Sequence, residues 1–236
     1  MKAKILFLTF LAIGMLTVNS QAQTLDEIIS KHSEAIGGIE NWSKIRTMKT
    51  DMAMKMQGME ILISVTQLDC KAMRTDITVS GMAGYSIITD TCGWNYMPFN
   101  GQTKPEPLTK DMVKSAKDEL CITDKLLRYK QTGDKAEYLG TDDIDGTECH
   151  KIKLTAADGT ENTYFLDSET FLLLKKTTKA TVNGQVFENS TTLGDYKKLD
   201  EGIVIAMTVQ NQGGVTEVKN VFVNPVVDEN IFKLPK

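Results

Sequence analysis

His150 and Asp167 are the residues of this 236-residue chain whose types and spacing come nearest to acid–base chemistry. If Asp158-Gly159 is a two-residue hairpin turn, His150 lies opposite Asp167, on the same side as Ile152 and Phe165. A carboxylate so placed can orient an imidazole, but a hydrolase also needs an activated nucleophile, and no serine or cysteine is placed to complete the set. The pair is therefore expected to form a structural hydrogen bond. His32, the only other histidine, falls on or beside the apolar stripe of a helix and reads as packed. The stretch "TDDIDG", Thr141 to Gly146, opens like a calcium loop. The glutamate that would complete an EF-hand falls within the next strand, so an acidic hairpin turn is expected. These residues point to a protein that is not an enzyme, with no cofactor and no metal.

Four cysteines, Cys70, Cys92, Cys121 and Cys149, allow three pairings. Cys70 and Cys92 flank a hairpin over 72–91 and rank first as a pair; free buried thiols are the alternative. Lys2 and Lys4, the apolar run Ile5 to Leu16 and the small residues before Gln23 have the anatomy of a secretory signal peptide over 1–22, cut after Ala22. No cysteine stands near the cut to take a lipid anchor. The mature chain, 23–236, is 236 − 22 = 214 residues; losing two lysines takes the formal charge from −4 to −6. That length suits one domain, with no further apolar stretch near the ~18 residues that span a bilayer. An acidic chain whose arginines are Arg46, Arg74 and Arg128 has no footprint for nucleic acid.

The elements that must position these residues can be read from hydropathy period. Thr24-Leu25-Asp26-Glu27 reads as a capping box, and Leu25, Ile28, Ile29, His32 and Ile36 form a helical stripe ending at Gly37-Gly38. From Arg46 the period becomes two, with Gln57-Gly58, Asp158-Gly159, Asn183-Gly184 and Gly213-Gly214 dividing alternating runs. Residues 107–130 interrupt the pattern with helical spacing at Leu108, Met112, Val113, Ala116 and Leu120. The class is α+β, mostly β: a large antiparallel sheet with an N-terminal helix and a helical insertion.

Around Gln57-Gly58 the expected register sets Met56 against Met59, Met54 against Ile61, Met52 against Ile63 and Thr50 against Val65, which makes one hairpin face nearly all apolar. Strands favour β-branched and aromatic residues, whereas methionine is unbranched and adapts to varied shapes. Ile203, Ile205, Met207 and Val209 present a similar face. Such a surface suits either an ordinary core or a cavity for flexible hydrocarbon. Ten buried methylenes would supply roughly 8 kcal/mol before association costs.

The segment "ITDTCGWNYMPFNG", Ile88 to Gly101, with Asp90, Trp94, Tyr96, Pro98 and Phe99, resembles the LolA/LolB-like periplasmic lipoprotein carriers. "HSEAIGGIENWSKIRTMK", "MKMQGMEI", "DIDGTECHKIKL", "YFLDSETFLLLK" and "NIFKLP" resemble, in order, outer-membrane lipoprotein-sorting proteins of the Bacteroidetes type. The resemblance implies a strongly curved, incomplete β-barrel capped by helices. It implies periplasmic localisation and a cavity for acyl chains of lipids or lipoproteins, with inner- and outer-membrane lipoprotein-handling proteins as partners. Residues 107–130 would be the lid. The cavity lining expected is Met52, Met54, Met56, Met59, Ile61, Ile63, Trp94, Met112, Ile205 and Met207. The carriers' lid-holding arginine, in a Lys-Arg-Pro segment, has no counterpart in "LDCKAMR", where Asp69 and Cys70 stand near that place and Arg74 is nearby. The alternative is an envelope lipid-sensing or protein-interaction module without a transport role.

Overall fold

The structure, a computed structural model, describes residues 23–56, 58–182 and 185–234. The expected signal peptide over 1–22, Gln57 and the Asn183-Gly184 turn lie outside the described residues. Helix α1 (Leu25–Ala35) starts at the expected capping box. Thr24 Oγ1 accepts the Glu27 N–H at 3.3 Å, and the Thr24 N–H donates to Glu27 Oε2 at 2.9 Å. The chain leaves it through Gly37, whose φ of 99° and close approach to the Gly202 carbonyl exclude a side chain. A short helix α2 (Ile39–Trp42) comes next.

The strands are β1 (Thr47–Met56), β2 (Met59–Leu68), β3 (Ala72–Val79), β4 (Met82–Thr89), β5 (Gly93–Tyr96) and β6 (Glu106–Pro107). After an insertion come β7 (Lys135–Ile144), β8 (Thr147–Thr155), β9 (Glu161–Asp167), β10 (Leu173–Val182), β11 (Gln185–Gly194), β12 (Lys197–Lys198), β13 (Val204–Ile205), β14 (Thr208–Asn211) and β15 (Gly214–Val223). Thirteen of them form one sheet in the order β6-β5-β4-β3-β2-β1-β15-β14-β11-β10-β9-β8-β7, while β12 and β13 pair separately. The last strand, β15, is placed in mid-sheet by pairing with β1 and β14, all antiparallel. The edge strands β6 and β7 do not pair with each other, so the sheet is a mostly β, unclosed barrel.

The methionine hairpin has the register expected: Met56 opposes Met59, Met54 Ile61, Met52 Ile63 and Thr50 Val65. The β8–β9 hairpin does not. Ala156 N–H bonds to the Thr160 carbonyl, leaving a three-residue turn 157–159 in place of two. The pairing therefore slips by one, His150 opposing Leu166 and Asp167 opposing Cys149. A one-residue slip sends side chains to opposite faces, which removes the expected His150–Asp167 pair.

The cysteine pairing also differs: the disulfide joins Cys70 to Cys121, and Cys92 and Cys149 are free. Cys70 lies in the β2–β3 turn, whereas Cys92 sits in the β4–β5 turn on the far side of β4. Two strand spacings, roughly 10 Å, exceed the reach of a disulfide. The helical insertion is broken rather than continuous: α3 (Lys110–Ser115), a 3₁₀ turn Lys117–Leu120, and α4 (Lys125–Thr132). The break falls at the disulfide and at Asp124, whose carboxylate caps α4 by accepting the Leu126 N–H at 2.7 Å.

One sheet face, the inner one, carries the main core. Ile28 and Ile29 of α1 and Leu126 of α4 pack on Ile152, Leu154, Tyr164, Leu166 and Leu173. His32 packs in this layer, its Nδ1–H donating to the Phe171 carbonyl at 2.7 Å. The outer face is covered at β3–β5 by the C-terminal segment, where Phe232 packs with Ala72 and Ile87.

Candidate functional site

Cross-strand registers carry the methionine face across the sheet. One row runs Met82, Val79, Ile61, Met54, Thr216, Val209, Leu193 over seven strands. The next runs Gly84, Ile77, Ile63, Met52 and Val218, and the Val218 N–H donates to the Met207 carbonyl at 2.8 Å. Met56 and Met59 end the hairpin on the same face. Ile205 lies at its lower end with Ile45, Met48 and Ile203. Trp94 does not join them. Its register partner Ile87 is on the outer face, and Trp94 packs there against the C-terminal cover.

The same inner face lines a cleft of about 930 Å³. Its walls are Ser86 and Ile88 of β4, Asn95 of β5, Met97, Leu108, Met112 and Ala116 around α3, and Thr160 and Ala180 from the far side of the sheet. Seven strand spacings, roughly 34 Å if flat, separate β4 from β10. Residues of both strands meet in this one cleft, so the sheet curls around it and α3 spans the gap. The volume is in the range of ligand sites. Of the ten residues expected to line a cavity, Met112 borders this cleft, while Met52, Met54, Met56, Met59, Ile61, Ile63, Trp94, Ile205 and Met207 are not among its walls. Sequence reasoning missed Ile88, Met97 and Leu108. Ile88 was within reach, since it continues the alternation Gly84, Ser86, Ile88 on the inner face. Asn95 Oδ1 is buried on the cleft wall with no hydrogen-bond partner, which leaves an acceptor for a donor on a bound molecule.

A second cavity of about 320 Å³ adjoins the first, the two sharing Ser115, Glu119 and Thr160. It is polar. Lys176 pairs with Asp124 at 3.4 Å, and Lys125 pairs with Asp134 at 3.2 Å and with Asp118. Burial pushes the Glu119 carboxyl up, Lys176 opposing and Asp118 adding to the shift. Burial would raise Asp124 too, but Lys176, the Leu126 N–H and His32 outweigh it and lower its pKa. The larger cleft thus mixes Ile88, Met97, Leu108 and Met112 with Asp111, Lys114 and Asp158, and the smaller cavity is charged beside α4.

The insertion is held where "LDCKAMR" lacks an arginine. Asp69 Oδ1 accepts the Ile122 N–H at 3.0 Å, the Cys70 N–H donates to the Leu120 carbonyl at 3.0 Å, and the disulfide joins the same segments. Arg74 instead forms an ion pair with Asp76 at 2.7 Å and donates to the Ile231 carbonyl at 3.0 Å. His150 is bonded through Nδ1 to the Tyr138 hydroxyl at 3.0 Å and stacks on Phe171, with its Nε2 buried and unpartnered. Burial lowers its pKa, against the opposing pull of Glu148. No cluster of metal-ligating side chains occurs among the described residues.

A curled, unclosed antiparallel sheet with helices over its inner face is the LolA-like fold, and solved structures share it. A LolA superfamily protein from Nitrosomonas europaea superposes with a TM-score of 0.57 at 13% identity, covering 89% of this chain and 97% of that one. A domain from Vibrio parahaemolyticus named for outer membrane lipoprotein sorting gives 0.54 at 15% identity, covering 89% and 95%. A DUF1329 family protein from Desulfovibrio piger gives 0.56 at 10% identity, covering 90% and 98%. The likeness is one of fold and does not distinguish the Bacteroidetes type. No protein-family model matches the sequence, and no curated protein matches it.

Proposed function

We propose that the protein is a non-catalytic periplasmic carrier that binds acyl chains of lipids or lipoproteins in the cleft under α3. The observation that carries this reading is the methionine-rich inner face of the β1–β2 hairpin together with a cleft of about 930 Å³ lined by the same face of the sheet at β4, β5 and β10. Hydrocarbon of varied length needs an adaptable wall, and methionine provides one. The charged second cavity suits the polar end of an amphiphile. Lipoprotein-handling proteins of the inner and outer membranes are the donors and acceptors this reading calls for. The fold shared with a lipoprotein-sorting domain supports it, and no helix of the described residues is long and apolar enough to cross a membrane.

The test is native mass spectrometry with lipid extraction of the protein recovered from a periplasmic fraction, together with titration of a fluorescent fatty acid. Met112, half-exposed on α3 and at the cleft wall, can be changed without opening the core. Met112→Asp and Met54→Asp should each leave a folded protein whose affinity for the probe falls roughly tenfold or more, about 1.4 kcal/mol. A clean apo mass with no uptake of fatty-acid or lipopeptide probes would refute the carrier reading.

A further inference from the structure

The two ends of the sheet differ in chemistry. Because neighbouring strands are antiparallel, the turns after β1, β3, β8, β10 and β14 lie at one end, and those after β2, β4, β7 and β9 at the other. The first end displays large apolar side chains in the open: Met59 (40% exposed), Met82 (47%), Val186 (58%), Phe187 (55%) and Val215 (44%). The other end has Asp69, Asp90, Asp145 and Glu169 in its turns. Single exposed apolar residues are ordinary on a protein surface. Here they sit at the tips of four hairpins that are consecutive in the sheet, β3–β4, β1–β2, β14–β15 and β10–β11, and so form one rim.

The rim also borders the mouth of the cleft. Ala180 lines the cleft, and its cross-strand partner is Phe187. Near the tips Lys55 and Lys179 stand among Glu60, Glu188 and Glu217, and Asp158 lies in the β8–β9 turn at the same end, so the rim carries no net positive charge. We infer that this rim seats on the surface of a lipid bilayer, with the cleft mouth against the lipid. An arc of separate hairpin tips enters an interface side chain by side chain, leaving the polar and charged groups beside it at the level of the headgroups. Attachment is apolar, so it needs no anionic lipid and tolerates salt. This goes beyond the carrier reading, because it assigns a surface outside the cleft.

The experiment is flotation with phosphatidylcholine vesicles of the protein beginning at Gln23, which contains every described element, at about 0.1 M and about 0.5 M salt. The protein should float at both. The double variant Val186→Ser/Val215→Ser should lose roughly tenfold or more of its partition while keeping its melting temperature and its fatty-acid probe uptake, since both are exposed, neither lines the cleft and neither lies on the methionine face. Failure of the probe-binding protein to float, flotation unchanged in the double variant, or flotation only on phosphatidylglycerol vesicles and abolished by salt would each overturn the inference. A stoichiometric complex with an envelope protein in place of flotation would overturn it too and make the rim a protein interface. Flotation that the double variant loses, without any probe uptake by the wild type, would sustain the rim and sink the carrier reading.

Discussion

Breaking the Cys70–Cys121 disulfide should destabilise the fold by up to about 4 kcal/mol. The bond spans a sequence separation of 51. Chain-entropy loss on closing such a loop is roughly 14 cal/mol/K, which is about 4 kcal/mol at room temperature; measured values for native disulfides commonly run from about 2 kcal/mol upward. The native contact does not depend on sulfur alone. Gln67 Nε2 donates to the Glu119 carbonyl at 3.0 Å, and the Asp69–Ile122 and Cys70–Leu120 hydrogen bonds, both 3.0 Å, remain when the bond is cut. The effect therefore falls mainly on the unfolded chain. Urea unfolding of the wild type with and without reductant, beside the variant Cys70→Ser/Cys121→Ser, measures it. The variant should match the reduced wild type and ignore reductant. A difference below about 1 kcal/mol would refute the argument, by showing either that the cysteines are unpaired or that the unfolded chain is held compact some other way. Alkylation of the unfolded, unreduced protein should modify Cys92 and Cys149 alone. In the folded state Cys149 should resist, because burial, with Asp167 adding to it, pushes its thiol up to about 11.

Gly37→Ala should cost more than about 2 kcal/mol in thermal or urea unfolding, because the new Cβ would lie 2.1 Å from the Gly202 oxygen at a φ of 99°; a neutral effect would mean that the α1 exit does not touch this loop. Stability should fall as pH drops below the ordinary histidine range near 6.5. Burial lowers the folded pKa of His32, against the opposing Phe171 carbonyl and Asp124, so its contribution is whole above that range and is lost as pH falls toward the lowered value. Urea midpoints between about pH 7.5 and about pH 5.5 measure this; a midpoint that rises on acidification in the wild type would contradict it, and His32→Gln should flatten the slope.

Local chemistry made much of the molecule readable in advance. The Thr24 capping box, the Gln57-Gly58 hairpin register and the methionine face all depend on residues within a few positions of one another, where side-chain period and turn chemistry decide the outcome. Failures arose where one residue of uncertainty is enough. At Asp158-Gly159 a three-residue turn competes with a two-residue one, and that single step separated His150 from Asp167. Trp94 has the same cause: its face depends on which residues β4 and β5 align, and Ile87 opposite it lies outside.

Composition, period and turn residues thus determined a mostly β antiparallel sheet, its first helix, a helical insertion and an apolar face built of Met52, Met54, Ile61 and Ile63. The order of strands was decided only by the tertiary structure. Pairing β15 with β1 joins segments some 170 residues apart, as Met48 opposite Val223 shows, and no local pattern encodes that meeting. The cleft belongs to the same level, because Ile88 and Ala180 line one cavity only when the sheet curls through the strands between them. The disulfide does as well: Cys70 and Cys121 are neighbours because α3 and its flanking turns cross the inner face and return to the β2–β3 turn.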